Sequence, residues 1–257
     1  MPTALVTGAS AGIGRALALR FATGGFDLIV TARRPAELDA LAVEVASLGR
    51  TFHALPADLS DPAAVPKLWQ SIADAGLAVD ALAANAGFGQ YGPFADADPD
   101  RLLALMQVNM VALAHLTRLA LPGMIQRGHG RILTVASIAG YLPGPRMAAY
   151  YASKAFVRSL SEALSHEVRG TGVTVTCLCP GPVRTEFARA AVMTESALFD
   201  GPGVTTAEAV ADAGYRGLMA GRRTVVPGWR NKLGVFATRF VPTALLLRAV
   251  DWVQRRK

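Results

Sequence analysis

Residues 147–154 read MAAYYASK, with two tyrosines ahead of one lysine. Tyr150 stands four residues before Lys154, and Tyr151 stands three before it. Side chains at both spacings are neighbours on a helix. An ammonium group beside a phenol favours the phenolate and draws its pKa down from ~10 toward neutrality. A general acid–base needs that property. Spacing alone slightly favours Tyr150 as the partner of Lys154 and leaves Tyr151 open.

A second constellation is TGASAGIG at residues 7–14. Gly8, Gly12 and Gly14 follow a strand-like run and precede a helical one. Glycines let the backbone turn sharply and approach a pyrophosphate, and the next helix offers free N–H groups and its positive dipole end. The pattern differs from G-x-G-x-x-G, but the physics is the same. A third signal follows the second strand-like run, where TARRP stands at 31–35. An NAD-binding fold places an acidic residue there for the ribose 2′-hydroxyl. Ala32 fills that slot here, followed by Arg33 and Arg34, which suit a 2′-phosphate. The expected cofactor is NADP(H).

The elements that must position these groups are short apolar runs at 4–7, 27–32, 51–56, 79–85, 131–137, 173–180 and 223–227. Helical patterns lie between them, near 12–24, 35–48, 61–75, 98–126, 148–169 and 205–220. Continuous apolar strands separated by helices indicate a parallel sheet covered on both faces. The expected fold is α/β, a Rossmann-type doubly wound sheet of about seven strands. No linker divides residues 1–257, which read as one dinucleotide-binding and catalytic domain with an amphipathic tail over 228–257.

Composition sets the outer bounds. The chain has 257 residues, 52% apolar and 18% charged, with a net charge of +7. No basic run is interleaved with aromatics, so nucleic acid is not expected as a partner. The histidines (His53, His115, His129 and His166) form no triad or metal spacing, and no metal is expected. Cys177 and Cys179 share one face of a strand, which argues against a disulfide between them. The absence of G-x-S-x-G disfavours a serine hydrolase. TALVTG enters a strand without a basic n-region, so no signal peptide is expected. No uninterrupted apolar run reaches membrane-spanning length.

Taken together, the chain resembles the short-chain dehydrogenases/reductases. The resemblance rests on TGASAGIG (7–14), ADLS (57–60), NAG (85–87), VN (108–109), Ser137, YYASK (150–154) and PGPVRTEF (180–187), in the family's order. It implies that Tyr150 is the acid–base and that Ser137 holds the substrate oxygen. It further implies that Lys154 lowers the pKa of Tyr150 and binds the nicotinamide ribose, and that Asn109 holds a water in the proton relay. Cofactor contacts carried over with it are Ser10 and Ile13 beside the pyrophosphate, Asp58 and Leu59 at the adenine, and Asn85 and Gly87. Pro180, Gly181, Val183 and Thr185 are implied at the nicotinamide. Where the family often has a second asparagine, this chain has Ala84.

Such a fold gathers Phe88, Ala139, Tyr141 and Phe187 at the C-terminal strand ends, as an apolar substrate wall with Ser137. Tyr91, Phe94, Leu142, Met193, Leu198 and Phe199 are further lining candidates, and 188–204 reads as a lid. The expected activity is NADPH-dependent reduction of an apolar ketone or aldehyde, or the reverse oxidation of an alcohol. The alternatives are a membrane-associated reductase of long acyl, steroid or retinoid-like substrates, and a non-catalytic NADP-binding protein. In the tail, Leu245, Leu246, Leu247, Ala249, Val250, Trp252 and Val253 form a broad apolar face. It needs a cover: the domain, a sister subunit or a membrane surface. The family implies a homodimer or homotetramer. The expected location is cytoplasmic, with peripheral contact at the inner membrane surface.

Overall fold

The apolar runs become seven strands of one parallel sheet, ordered β3-β2-β1-β4-β5-β6-β7. The computed structural model describes residues 1–183 and 204–255. The strands are β1 (Thr3–Thr7), β2 (Asp27–Thr31), β3 (Phe52–Ala54), β4 (Ala81–Ala84), β5 (Gly130–Val135), β6 (Val173–Leu178) and β7 (Thr224–Val225). Every residue of β1 and β4 is buried, so neither run alternates with polar residues. Leu5 pairs with Ile29 on one side and Leu82 on the other.

The helices are α1 (Gly12–Thr23), α2 (Pro35–Ser47), α3 (Ala64–Asp74), α4 (Pro99–Met106), α5 (Leu113–Arg127), α6 (Ala148–Glu167), α7 (Ala207–Met219), α8 (Trp229–Ala237) and α9 (Thr243–Arg255). Pro35 opens α2, where a missing N–H costs nothing. Gly128, left-handed at φ 70°, ends α5. One core unites Leu17, Phe21, Val30, Leu41 and Leu218 on one face of the sheet. A second unites Leu5, Ile29, Leu82, Leu116, Met124 and Val157 on the other. The strand order reverses between β1 and β4, and that is where an open α/β sheet leaves its ligand crevice.

Most element bounds agree with the sequence pattern to within a few residues. The departures are local. β7 shrinks to two residues. A π-helical stretch, Gln107–Ala112, joins α4 to α5. A short 3₁₀ turn, Ile138–Tyr141, follows Ser137. The joined helix Pro99–Arg127 is long and apolar enough to cross a membrane. Here it buries Leu105, Val108, Leu116 and Met124 instead. Cys177 and Cys179 are buried free thiols, with their sulfurs 3.6 Å apart.

Candidate active site

The first two turns of α6 carry Tyr150, Tyr151, Ser153 and Lys154. The two tyrosines diverge. Tyr150 is hydrogen-bonded to Ser137, whereas the Tyr151 hydroxyl accepts from Gln254 Nε2 at 2.9 Å. Their rings meet edge to face, with centroids 6.1 Å apart. Ser137 caps the 3₁₀ turn: its Oγ accepts from the Ala139 N–H at 3.1 Å and donates to the Pro180 carbonyl at 3.4 Å. The serine hydroxyl is thus held beside the Tyr150 phenol by the backbone.

Lys154 is buried and donates to the Val135 carbonyl at 2.8 Å, with Nζ 5.7 Å from the centre of the Tyr150 ring. Burial draws its ammonium down from 10.5 to about 8. Burial pushes the Tyr150 phenol above its ordinary value, opposed by the Ser137 hydrogen bond. The reason is desolvation, which disfavours both charged forms at once.

Asn109 sits in the π stretch and is fully buried. Its Oδ1 accepts from the Phe88 N–H at 3.0 Å, and its Nδ2 donates to the Phe88 carbonyl and to Ser153 Oγ, each at 3.0 Å. Its amide therefore clamps the segment after β4 to α6, and no hydrogen bond from it to Lys154 occurs among the described residues. A π stretch often marks such a functional position. Gly87 lies in the gap, where a Cβ would come 3.0 Å from Asn109 Oδ1 and 3.4 Å from Lys154 Nζ.

The glycine loop closes the other end of the crevice. Gly8 and Gly12 take positive φ, 68° and 56°. A Cβ on Gly14 would fall 2.1 Å from the Gly8 carbonyl oxygen. Asn85 Nδ2 donates to the Thr7 carbonyl at 2.9 Å, and its N–H donates to Thr7 Oγ1 at 3.0 Å. Asn85 thus ties the end of β4 to the glycine loop. No side chain caps the start of α1. Thr31 Oγ1, buried at the end of β2 and lining the crevice, has no hydrogen-bond partner. Open helix amides, a glycine cradle and an unsatisfied hydroxyl fit a phosphate-bearing dinucleotide.

Arg33 lines this end, but Arg34 does not. Arg34 reaches Ser10 Oγ at 3.4 Å and pairs with Glu37 at 3.2 Å. Asp58 accepts from the Ser60 N–H at 3.0 Å and from its hydroxyl at 2.8 Å. Burial raises its pKa, but these bonds and Arg33 outweigh it and leave the carboxyl below its ordinary value.

One cavity of about 620 Å³ runs from Gly8, Ser10, Gly12, Ile13, Gly14, Asp58 and Leu59 past Asn85 and Gly87 to Ser137, Tyr150 and Lys154. Pro180, Gly181 and Val183 border it, as do Phe88, Ala139 and Leu142. Thr185 and Phe187 lie outside the described residues, as do Met193, Leu198, Phe199 and most of the expected lid.

Tyr141, expected at the substrate, does not line the cavity. Its hydroxyl lies 3.9 Å from Cys179 Sγ, and Arg158 stacks 4.7 Å over its ring. The 3₁₀ turn carries it against β6 and α6. Phe94 is exposed, and the Tyr91 hydroxyl donates to the Gln254 carbonyl at 2.8 Å. The unforeseen wall is α9, which lays Leu246, Ala249, Val250, Val253 and Gln254 along the cavity. Four of these follow i, i+3, i+4, i+7 spacing, a signal present in the sequence.

The sequence profile of the short chain dehydrogenase family matches residues 2–196. The chain belongs to this family. A short chain dehydrogenase of Pseudocercospora fijiensis is 38% identical over 187 residues, which cover 72% of this chain and 60% of that one. Solved structures share the fold, among them the following. One from Sphingobium yanoikuyae, in complex with NADPH, has a TM-score of 0.84 at 32% identity, covering 96% of this chain and 95% of its own. The bulky-bulky ketone specific alcohol dehydrogenase of Comamonas testosteroni has a TM-score of 0.79 at 27% identity, covering 96% and 94%. A Burkholderia phymatum member in complex with NAD has 0.80 at 27%, covering 100% and 95%. As a short chain dehydrogenase, this protein is an oxidoreductase that binds a nicotinamide cofactor.

Proposed function

We propose that this short chain dehydrogenase is an NADP(H)-dependent carbonyl reductase of apolar ketones and aldehydes, also able to oxidise the matching secondary alcohols. The observation that carries the reading is the Ser137–Tyr150 pair, with Lys154 behind it, in a largely apolar part of the cavity. Arg33 at the far end, with Ala32 in place of an acid, supports NADP(H) over NAD. The NADPH-bound neighbour agrees with this, and the NAD-bound one shows that the fold also serves the other cofactor.

A bound nicotinamide supplies the hydride. The protein's part is to hold the carbonyl oxygen and protonate it. Ser137 donates a hydrogen bond to that oxygen. Tyr150 gives up its proton as negative charge develops there. Its raised pKa keeps it protonated at neutral pH, the form a reduction consumes. Lys154 places a dischargeable ammonium beside the phenol, ready to favour the phenolate left behind. The apolar walls exclude water from the reacting oxygen.

The test is NADPH oxidation with a panel of carbonyl compounds, wild type against Tyr150→Phe. Wild type should turn over apolar ketones and the variant should lose at least ~100-fold. A variant that keeps full rate, with Tyr151→Phe inactive, would assign the acid to the wrong tyrosine. No turnover by wild type on any compound favours the non-catalytic alternative.

A second reading has its own observation. Trp229, Leu233, Phe236, Phe240, Leu245 and Trp252 are exposed on α8, α9 and their connection, among Arg230, Lys232, Arg239 and Arg248. This surface suits an anionic membrane face and a lipid-like substrate reached from it. A sister subunit in a homodimer or homotetramer is the competing cover.

A further inference from the structure

The wall formed by α9 contains one polar side chain that does not match its setting. Gln254 is 3% exposed and lines the cavity beside Val250 and Val253. Its Nε2 donates to Tyr151, but its Oε1 is buried without a hydrogen-bond partner. An unpaired buried acceptor is destabilising, and an aliphatic residue would fill this wall without that cost. The position is also firmly fixed. The Gln254 carbonyl accepts from Tyr91, and one turn earlier Asp251 pairs with Arg146 at 3.2 Å. The Tyr151 ring is wedged against Gly144, where a Cβ would come 2.4 Å from it. The backbone is therefore held in place, while the amide oxygen is unpaired and would meet a ligand in the cavity by turning about the side-chain bonds.

We infer that Gln254 is a specificity-determining residue whose Oε1 accepts a hydrogen bond from a donor on the substrate, remote from the reacting carbonyl. Resting on the carbonyl-reductase reading, this narrows the substrate class to apolar ketones that carry one hydroxyl away from the carbonyl, and to the corresponding diols. Tyr151 is the positioning residue for that amide. Its ring touches that of Tyr150, so recognition and proton transfer share one turn of α6. A site with an unpaired acceptor discriminates against the analogue that lacks the donor.

The test measures binding apart from turnover, on the full chain with NADP+ present, by titration calorimetry. The probes are 2-hexanone and 2-octanone, their ω-hydroxy derivatives and their ω-methoxy derivatives. In wild type, at least one hydroxy-ketone should bind roughly tenfold tighter than its parent, the worth of one added hydrogen bond. The methoxy compounds should show no gain, since they accept but do not donate. Gln254→Met should bring the hydroxy-to-parent ratio to about one, and Tyr151→Phe should lower it. No gain for any hydroxy-ketone, an equal gain for the methoxy compounds, or a ratio retained in Gln254→Met overturns the inference. Absence of binding by all six does so too. If Gln254→Met fails to fold, the wild-type hydroxy-to-methoxy comparison decides alone. A protein that shows the ratio yet oxidises no NADPH refutes the reductase reading and leaves the role of Gln254 standing. One that reduces ketones without the ratio does the reverse.

Discussion

Replacing Lys154 with methionine should make the cofactor-free protein more stable while making the enzyme far less active. The ammonium is buried, and its pKa falls from 10.5 to about 8. The unfolded chain therefore holds more protons than the folded one between pH 8 and 10.5, and wild-type stability should rise with pH across that window. Below pH 8 the full penalty is present. At ~1.4 kcal/mol for each tenfold change in proton affinity, it amounts to roughly 3 kcal/mol. Methionine removes the penalty but leaves the Val135 carbonyl without its donor, which costs about 1 kcal/mol. The net gain at pH 7 is about 2 kcal/mol, or roughly 4–8 °C in Tm for a chain of this size. It should vanish toward pH 10. Urea unfolding of both proteins at pH 7, 8, 9 and 10 reads this directly. Titrating groups remote from Lys154 are common to both proteins and largely drop out of the difference; the Cys177 and Cys179 thiols, whose charge favours the Lys154 ammonium, do not. Two parallel stability curves, or a variant weaker at pH 7, would refute the desolvation argument. Activity should fall by ~100-fold or more in the same variant, because the phenolate loses its counter-charge.

Other outcomes follow from the cofactor end and the tail. Arg33→Ala should lower kcat/KM for NADPH roughly ten- to hundredfold, the worth of charge-assisted hydrogen bonds to a phosphate, with far less effect on NADH. Equal losses with both cofactors would remove the 2′-phosphate role. Gly14→Ala forces a Cβ to within 2.1 Å of the Gly8 oxygen, so NADPH affinity by fluorescence titration should collapse; a normal Kd would show that the loop yields freely. The full chain should sediment with phosphatidylglycerol vesicles at low salt and be released at high salt, and Trp229→Ser with Phe240→Ser should weaken this. Failure to sediment at any salt concentration rejects the membrane reading.

The sheet was legible because strands buried on both faces carry their signature in composition alone. The glycine turn ahead of α1 and the place of Arg33 at the end of β2 were legible because each depends on its neighbours in sequence. What stayed hidden depends on distant partners. Tyr151 and Gln254 are 103 residues apart, and no local pattern joins them. The stripe Leu246, Ala249, Val250 and Val253 announced an apolar face but not which surface it meets. Tyr141 lies close to Ser137 in sequence, yet the 3₁₀ turn carries it away from the cavity. Spacing placed Lys154 near Tyr150 but could not show that its ammonium points at a backbone carbonyl, or that burial dominates both pKa values.

Helix α9 is apolar on two sides. Its inner side meets the cavity through Leu246, Val250 and Val253, while Leu245 and Trp252 face outward. A single helix is ~10 Å across. On the carbonyl-reductase reading, an oily molecule resting on the outside would thus be separated from the cavity by little more than one helix width, most of it carbon. Reaching the cavity from that side would then be a partitioning problem rather than an escape from water.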